Sequence, residues 1–404
     1  MKEKKPLGSI EHMKERAMAG VDAQRARLIE VSDRIHANPE IAFEEFQAAA
    51  LLSGFLEENG FQVERGVAGL ETAFIATKRG RDNGPTVAFL AEYDALPGLG
   101  HACGHNLIGA AAVGAGSAMA TVLPELAGTI QVIGTPAEEG GGGKVIMVDA
   151  GIFDRVDAAM MIHPGGRNLL GRLALTAYPL TIEFFGRPAH AAAKPDEGIN
   201  ALDALVLTFN AIGALRQHLR DDARIHGIIT HGGDAPNIVP EYTRAEFIVR
   251  AADTPYATYV MEKVRSCAEG ATLATGARLD FKQAGPRYDA RMPNPKLVAL
   301  FKDNLMALGL EVELASGNER MGSSDIGNVS QVVPAIHPYI AIGPPEIGGH
   351  TAEFREASAS RAGHEGMLSG AKALAMTAVD LLAQPANLTE AKQAFEDQKA
   401  RQAG

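Results

Sequence analysis

With 404 residues, 46% of them apolar, the chain has material for more than one domain and an ample core. A formal net charge of −11 argues against nucleic acid or an anionic membrane as partner. With only Cys103 and Cys267 a disulfide framework is improbable. No run approaches the ~20 apolar residues of a membrane span, and the start Met1-Lys2-Glu3-Lys4-Lys5 leads into no apolar core of signal-peptide length. The expected location is the cytoplasm.

Helical periodicity covers residues 11–37, stopped by Asn38-Pro39, and 43–59, stopped by Gly60. Strand and helix patterns then alternate through Pro164, which predicts a largely parallel sheet flanked by helices. From Thr176 the texture changes. Strands at 176–185, 224–230, 243–250 and 278–282 flank long helices at 200–219 and 255–274, an α+β pattern. Past Asn294 the first pattern resumes, with a helix to Leu308, a strand over 335–342 and helices over 355–382 and 388–402. The expected organisation is a discontinuous α/β catalytic domain, residues 1–175 and 290–404, interrupted by an α+β lid over 176–289.

Three apolar runs end in groups that bind metals. Thr86 to Leu90 precedes Glu92-Tyr93-Asp94-Ala95-Leu96-Pro97-Gly98-Leu99-Gly100-His101-Ala102-Cys103-Gly104-His105; Ile130 to Ile133 precedes Glu138-Glu139; Ala158 to Met161 precedes His163-Pro164. In open α/β sheets the ligand crevice lies outside the carboxyl ends of the strands, so these groups converge there. Thiol, imidazole and carboxylate donors suit a borderline-soft divalent ion, zinc first. Alone, a Cys is usually inert core and a His simply satisfied, and a structural metal site would read similarly; the coincidence of the clusters carries the signal.

Neighbouring side chains on an extended segment point opposite ways, so Glu138 and Glu139 divide the work: one faces the metals and the other takes the proton of water. The plain alternative is two solvated glutamates at a helix start. Gly140 to Gly143 with Lys144 fails the phosphate-loop pattern, because Glu138 stands at its first glycine and Val145 at its hydroxyl position. Gly98 to Cys103 lacks the third glycine of a dinucleotide fingerprint. These glycines are expected to let the backbone crowd the site. Within the insertion, His190 occupies a loop after a strand, and Asn237 with Arg250 could hold a substrate carboxylate; the bland reading of Arg250 is a surface ion pair.

These motifs, with Gly186-Arg187-Pro188-Ala189-His190-Ala191, Gly322-Ser323-Ser324-Asp325-Ile326-Gly327 and Gly349-His350-Thr351, make nearly the whole chain resemble the di-metal amidohydrolases of the aminoacylase and glutamate carboxypeptidase type. The resemblance is strongest to their cysteine-ligand branch, which includes p-aminobenzoyl-glutamate hydrolases and dipeptidases acting on basic dipeptides. It implies Cys103, His105, Glu139, His163 and His350 as ligands of two divalent ions, Zn²⁺ or Mn²⁺. It also implies Glu138 as general base, Asp94 as the carboxylate orienting a ligand, His190 as a lid residue polarising the scissile carbonyl, and a homodimer through the lid. The activity implied is hydrolysis of the amide bond of an N-acyl amino acid or dipeptide, with release of an aryl amine as a variant. Two other readings stand beside it. Cys103 could be a nucleophile, with His105 or His101 as base and Asp94 as orienter, although a spacing of two residues serves chelation better. The chain could also be a metal-dependent binding protein without catalysis, against which Glu138 speaks.

Overall fold

The strand Asp82–Ala91 is exposed where it begins and fully buried from Val87 onward. In the computed structural model, which describes residues 9–317, 319 and 321–403, it is a central strand of a six-stranded sheet. The charged opening Met1–Lys5 lies outside the described residues. The chain divides into two compact units, Met1–Leu173 with Arg291–Arg320 and Ser324–Gly404, and Ala174–Ala290 with Met321–Ser323.

In the first unit the sheet order is Gln62–Arg65, Phe74–Arg79, Ala127–Gly134, Asp82–Ala91, Ala158–Met160 and Ala335–Ile336. The last four run parallel, Phe74–Arg79 pairs antiparallel with Ala127–Gly134 and Gln62–Arg65 antiparallel with Phe74–Arg79, a mixed, largely parallel sheet among helices. Parallel strands covered on both faces read as continuous apolar runs, and these do. The helix His105–Met119 is buried at every position, as expected of a helix apolar all round. Its small residues permit that: a Cβ on Gly116 would stand 2.5 Å from Val132 Cγ2. Leu52, Leu56, Phe89, Val132 and Leu374 share this core, each fully buried apolar side chain contributing ~1.5–3 kcal/mol.

The structure breaks several predicted elements. The periodic stretch 11–37 forms two helices, Ile10–Ala23 and Arg25–Ala37, parted at Gln24. The next helix begins only at Phe46, because Phe43 adopts φ 64°. The strand expected over 335–342 becomes Ala335–Ile336 and Tyr339–Ala341, which pair in different sheets. The break falls at His337-Pro338, where proline offers no N–H to a ladder. Tyr339–Ala341 joins a small second sheet with His163–Gly165, Leu169–Leu170 and Glu313–Leu314. The helix expected over 355–382 becomes Ala352–Ala357 and Arg361–Ala383, the latter capped by Ser360. By length and composition Arg361–Ala383 could cross a membrane, which the sequence reading did not anticipate, yet 83% of its apolar window is buried in the fold.

The second unit is an antiparallel sheet in the order Arg278–Gln283, Thr176–Phe185, Tyr242–Ala251, Arg224–His231. Helices Ala201–Leu215 and Thr254–Thr275 join it in one core through Leu205, Val260, Val264, Ile182, Phe184 and Phe247. Asn200 caps the first helix by accepting from Leu202 N and Asp203 N, and Asp253 caps the second through Tyr256 N.

Candidate metal centre

Beyond Ala91 the chain passes through Glu92, Tyr93 and Asp94, all buried, and turns into the helix that begins at His105. Gly104 makes this turn at φ 77°, and a Cβ there would lie 2.8 Å from Pro164 Cγ. Glycine is required on both counts. The turn sets Cys103 and His105 beside His163, with Cys103 Sγ 3.4 Å from His163 Nε2. His105 Nδ1 donates to Asp94 Oδ1 at 2.8 Å, which leaves Nε2 3.9 Å from Glu139 Oε1. Asp94 Oδ2 accepts from Glu139 N at 2.8 Å, so one carboxylate fixes two of the donor-bearing residues. His350, in the left-handed region at φ 63°, donates its backbone N–H to Ala102 O at 2.8 Å and holds Nε2 3.5 Å from Glu139 Oε1. Strain of this kind, ~1–3 kcal/mol, collects at functional sites.

The outcome is three overlapping triads: Cys103, His105 and His163; Cys103, Glu139 and His350; His105, Glu138 and Glu139. In each, the donor atoms lie within 4.8 Å of one another. His105 Nε2 and Glu139 Oε1 are buried without a hydrogen-bond partner. Orphaned buried donors of mixed thiol, imidazole and carboxylate character are what a borderline-soft divalent ion satisfies, so the residues fit such ions.

Electrostatics separate the two glutamates. Burial, reinforced by Glu92 and Asp325, raises the Glu138 carboxyl well above its ordinary range. Glu139 resists the same burial and is held at about 2 by the neighbouring imidazoles of His350 and His105. The same crowded setting thus pushes the two carboxyls in opposite directions. Burial pushes the Cys103 thiol up and lowers His163 to about 4. Burial opposes charge on His105 too, but Asp94 outweighs it and raises that imidazole. A thiol pushed up by burial is the reverse of an activated nucleophile, which weighs against the Cys103 mechanism.

Glu138 and Glu139 lie in a turn, not on the extended segment that their alternation assumed. Their opposite roles come from their surroundings. The turn follows Ala137, whose φ of 61° is unusual for a residue with a Cβ. Ala137 N donates to Glu45 Oε1 at 2.8 Å, Ala137 O accepts from Gly141 N at 3.0 Å and Gly142 N at 2.7 Å, and Thr72 Oγ1 donates to Glu45 Oε2 at 2.9 Å. The glycine run packs tightly here: a Cβ on Gly143 would stand 2.0 Å from Pro136 O. Behind the turn Lys144, fully buried, reaches Glu92 Oε1 at 2.6 Å and Asp325 Oδ1 at 2.8 Å. Glu45 and the Lys144 bridge escaped the sequence reading. Lys144 drew notice only as a failed phosphate-loop lysine, and its burial, the one informative fact, has no local signature.

The second unit carries the remaining predicted residues. His190 is exposed, its Nδ1 accepting from Ala192 N and Ala193 N at 3.3 and 3.1 Å. It bridges to Ile238 while Ala191 N donates to Asn237 O, so His190 and Asn237 are neighbours. Arg250 is half-buried and donates to Ser323 Oγ at 2.7 Å; among the described residues it makes no ion pair, contrary to the bland reading.

The model of Peptidase family M20/M25/M40 matches residues 88–378. The chain is 40% identical over 400 residues to the Xaa-Arg dipeptidase of Mus musculus, covering 96% of this chain and 93% of that one. It is 31% identical to a polypeptide of the p-aminobenzoyl-glutamate hydrolase of Escherichia coli, covering 92% of each. In fold it resembles a dinuclear metal binding peptidase of the M20 family from Bacillus subtilis, with a TM-score of 0.68 at 22% identity over 90% of this chain and 99% of that one. With a thiol, imidazoles and carboxylates gathered at its strand ends, the chain belongs to Peptidase family M20/M25/M40 and is a metal-dependent hydrolase.

Proposed function

We propose that the chain cleaves the amide bond of a dipeptide or N-acyl amino acid, with Cys103, His105, Glu139, His163 and His350 holding two divalent ions, Zn²⁺ or Mn²⁺. The observation that carries this reading is the set of three overlapping triads of donor atoms, within 4.8 Å of one another in each, with Glu138 in one of them. Bound divalent ions supply Lewis acidity, polarising the carbonyl and easing loss of a proton from water. Asp94 holds His105 in one tautomer and orientation through Nδ1, the usual support of a metal-facing imidazole. Glu138, kept protonatable by burial, takes the proton of the attacking water on its carboxylate and returns it to the leaving nitrogen. His190 donates a hydrogen bond to the carbonyl oxygen as it gains charge, and Asn237 and Arg250 contribute further polar contacts to the substrate.

Relatedness to a protein named Xaa-Arg dipeptidase favours a dipeptide with a basic second residue, and the hydrolase named for p-aminobenzoyl-glutamate favours an aryl amide next. In this reading the enzyme is cytoplasmic and a homodimer formed through the second unit, whose edge strand Arg224–His231 leaves Ile228 and Ile229 exposed; sedimentation measures the latter directly. The catalytic assignment is tested with Glu138→Gln and His190→Ala. Both should retain the wild-type metal content, and Glu138→Gln should lose ~10²- to 10⁴-fold in kcat on a dipeptide panel. Metal loss in Glu138→Gln together with retention in Glu139→Gln would reverse the assignment of the pair, and full activity of His190→Ala would remove that residue from the mechanism.

A further inference from the structure

Glu92 comes as close to the metal centre as the proposed ligands come to one another, yet it joins none of their three triads. Its Oε2 stands 3.5 Å from His105 Nε2, the same separation as His350 Nε2 and Glu139 Oε1. Both Glu92 Oε2 and His105 Nε2 are buried without a hydrogen-bond partner. Glu92 and Asp94 follow the end of the strand Asp82–Ala91 and flank one imidazole, Asp94 at Nδ1 and Glu92 at Nε2, while Tyr93 between them donates to Thr72 O at 2.6 Å. A carboxylate oxygen so placed is a ready ligand for a divalent ion.

Glu92 is tied elsewhere. Lys144 Nζ lies 2.6 Å from Glu92 Oε1 and donates to Asp325 Oδ1 at 2.8 Å, and Lys144 N donates to Asp325 Oδ2 at 3.0 Å. Asp325 therefore grips the lysine at both its backbone and its ammonium, which fixes where Nζ can reach. All three residues are at most 1% exposed, so bulk water does not compete for them. Burial opposes the charge of Lys144, but Asp325 and Glu92 outweigh it and raise the ammonium above its ordinary range. One cation between two carboxylates leaves a single net negative charge behind the metal centre.

A hydrolytic metal centre needs a position open to water or substrate, whereas a closed set of protein ligands marks a structural site. Glu92, if released, would close such a position. We propose that Lys144, anchored by Asp325, holds Glu92 out of the coordination of the ions and so keeps a position open. Lys144 is thus a positioning residue that acts through Glu92, a role that rests on the reading of this centre as that of a metal-dependent amide hydrolase.

The test loads the full-length protein with Co²⁺ in place of Zn²⁺ or Mn²⁺, because the visible absorption of each bound Co²⁺ weakens as its coordination number rises. In Lys144→Met the band should weaken relative to wild type, and kcat on a dipeptide should fall ~10- to 100-fold. Adding Glu92→Gln to Lys144→Met should restore the wild-type band and part of kcat, since a neutral amide is a poor ligand for such an ion. Glu92→Gln alone leaves Lys144 paired with Asp325 and should keep the wild-type band. Lys144→Met buries two carboxylates without a cation, which is strongly destabilising. If it does not fold, Lys144→Met combined with Asp325→Asn, which retains the wild-type net charge of the set, supplies the same readout. Tighter Co²⁺ binding with an unchanged band would show that only a repelling charge has gone, and would overturn the proposal. A stronger band in Glu92→Gln would overturn it too, because Glu92 would then be a ligand in the wild type. Wild-type protein that binds no Co²⁺ would instead refute the metal centre itself.

Discussion

Glu45 offers the sharpest test of how the fold holds Glu138. It belongs to the start of a helix and stands 92 residues before Ala137, yet it is fully buried and its carboxylate caps the N–H of Ala137 at 2.8 Å. Glu45→Ala removes a charge-assisted hydrogen bond worth ~1.5–3 kcal/mol and strands the Thr72 hydroxyl, whose unsatisfied burial costs another ~1–3 kcal/mol. Together these predict a loss of about 2.5–6 kcal/mol in stability. Ala137 also loses the contact that keeps it left-handed, a conformation costing ~1–2 kcal/mol, so the turn should relax and carry Glu138 with it. A displacement near ~1 Å at a reacting group can cost ~10²-fold in rate. The assay is denaturant unfolding of the metal-free protein together with kcat at saturating dipeptide. Glu45→Gln, which keeps an oxygen for Ala137, should recover most of both. Adding Ala137→Gly to Glu45→Ala should recover part of the stability, because glycine adopts the left-handed region without penalty. Wild-type stability and kcat in Glu45→Ala would refute the reasoning.

Asp94→Asn should weaken metal binding ~10- to 100-fold, since an amide cannot accept from both His105 Nδ1 and Glu139 N as well as the carboxylate does; competition with a metallochromic chelator measures it, and unchanged affinity would count against the assignment. Metal uptake should release protons and tighten as pH rises, because the metal-free site keeps the Cys103 thiol and the His105 ring protonated; calorimetry in two buffers of different ionisation enthalpy reports the proton count, and none released would contradict it. Burial raises Glu45 to about 6 from its ordinary 4.5. A carboxyl raised in the folded state favours folding when protonated, so the wild type should lose stability relative to Glu45→Gln as pH rises from about 4.5 to 6, with no further change above. A flat difference across that window would refute the shift.

Much of the centre was legible because it is written locally. Three of the candidate donor clusters abut apolar runs, whereas His350 follows none and was reached only through the family resemblance. The second unit was legible in the same local way, because its period-two strands and capped helices agree with their sequence pattern. What escaped depends on contacts distant in sequence. Glu45 looks like any exposed acid of an amphipathic helix until its partner Ala137, far along the chain, is in place. Lys144 sits in an apolar setting that composition cannot show. The run 335–342 reads as one strand because its apolar content is continuous, and only the proline at 338 hinted that it changes sheets. The orientation of the two glutamates was inferred from an extended geometry, whereas the positive φ of Ala137 makes a turn there; no single residue type announces that a Cβ-bearing residue will be held left-handed.

The central claim is that hydrolysis requires divalent ions held by Cys103, His105, Glu139, His163 and His350. The most direct measurement strips the purified enzyme with a strong chelator, verifies the metal content by elemental analysis, and follows dipeptide hydrolysis during titration with Zn²⁺ or Mn²⁺. The account predicts no turnover in the stripped protein and recovery that rises with bound metal, with Cys103→Ala and His105→Ala failing to recover at the same added metal. Full activity in protein shown to be metal-free would contradict it.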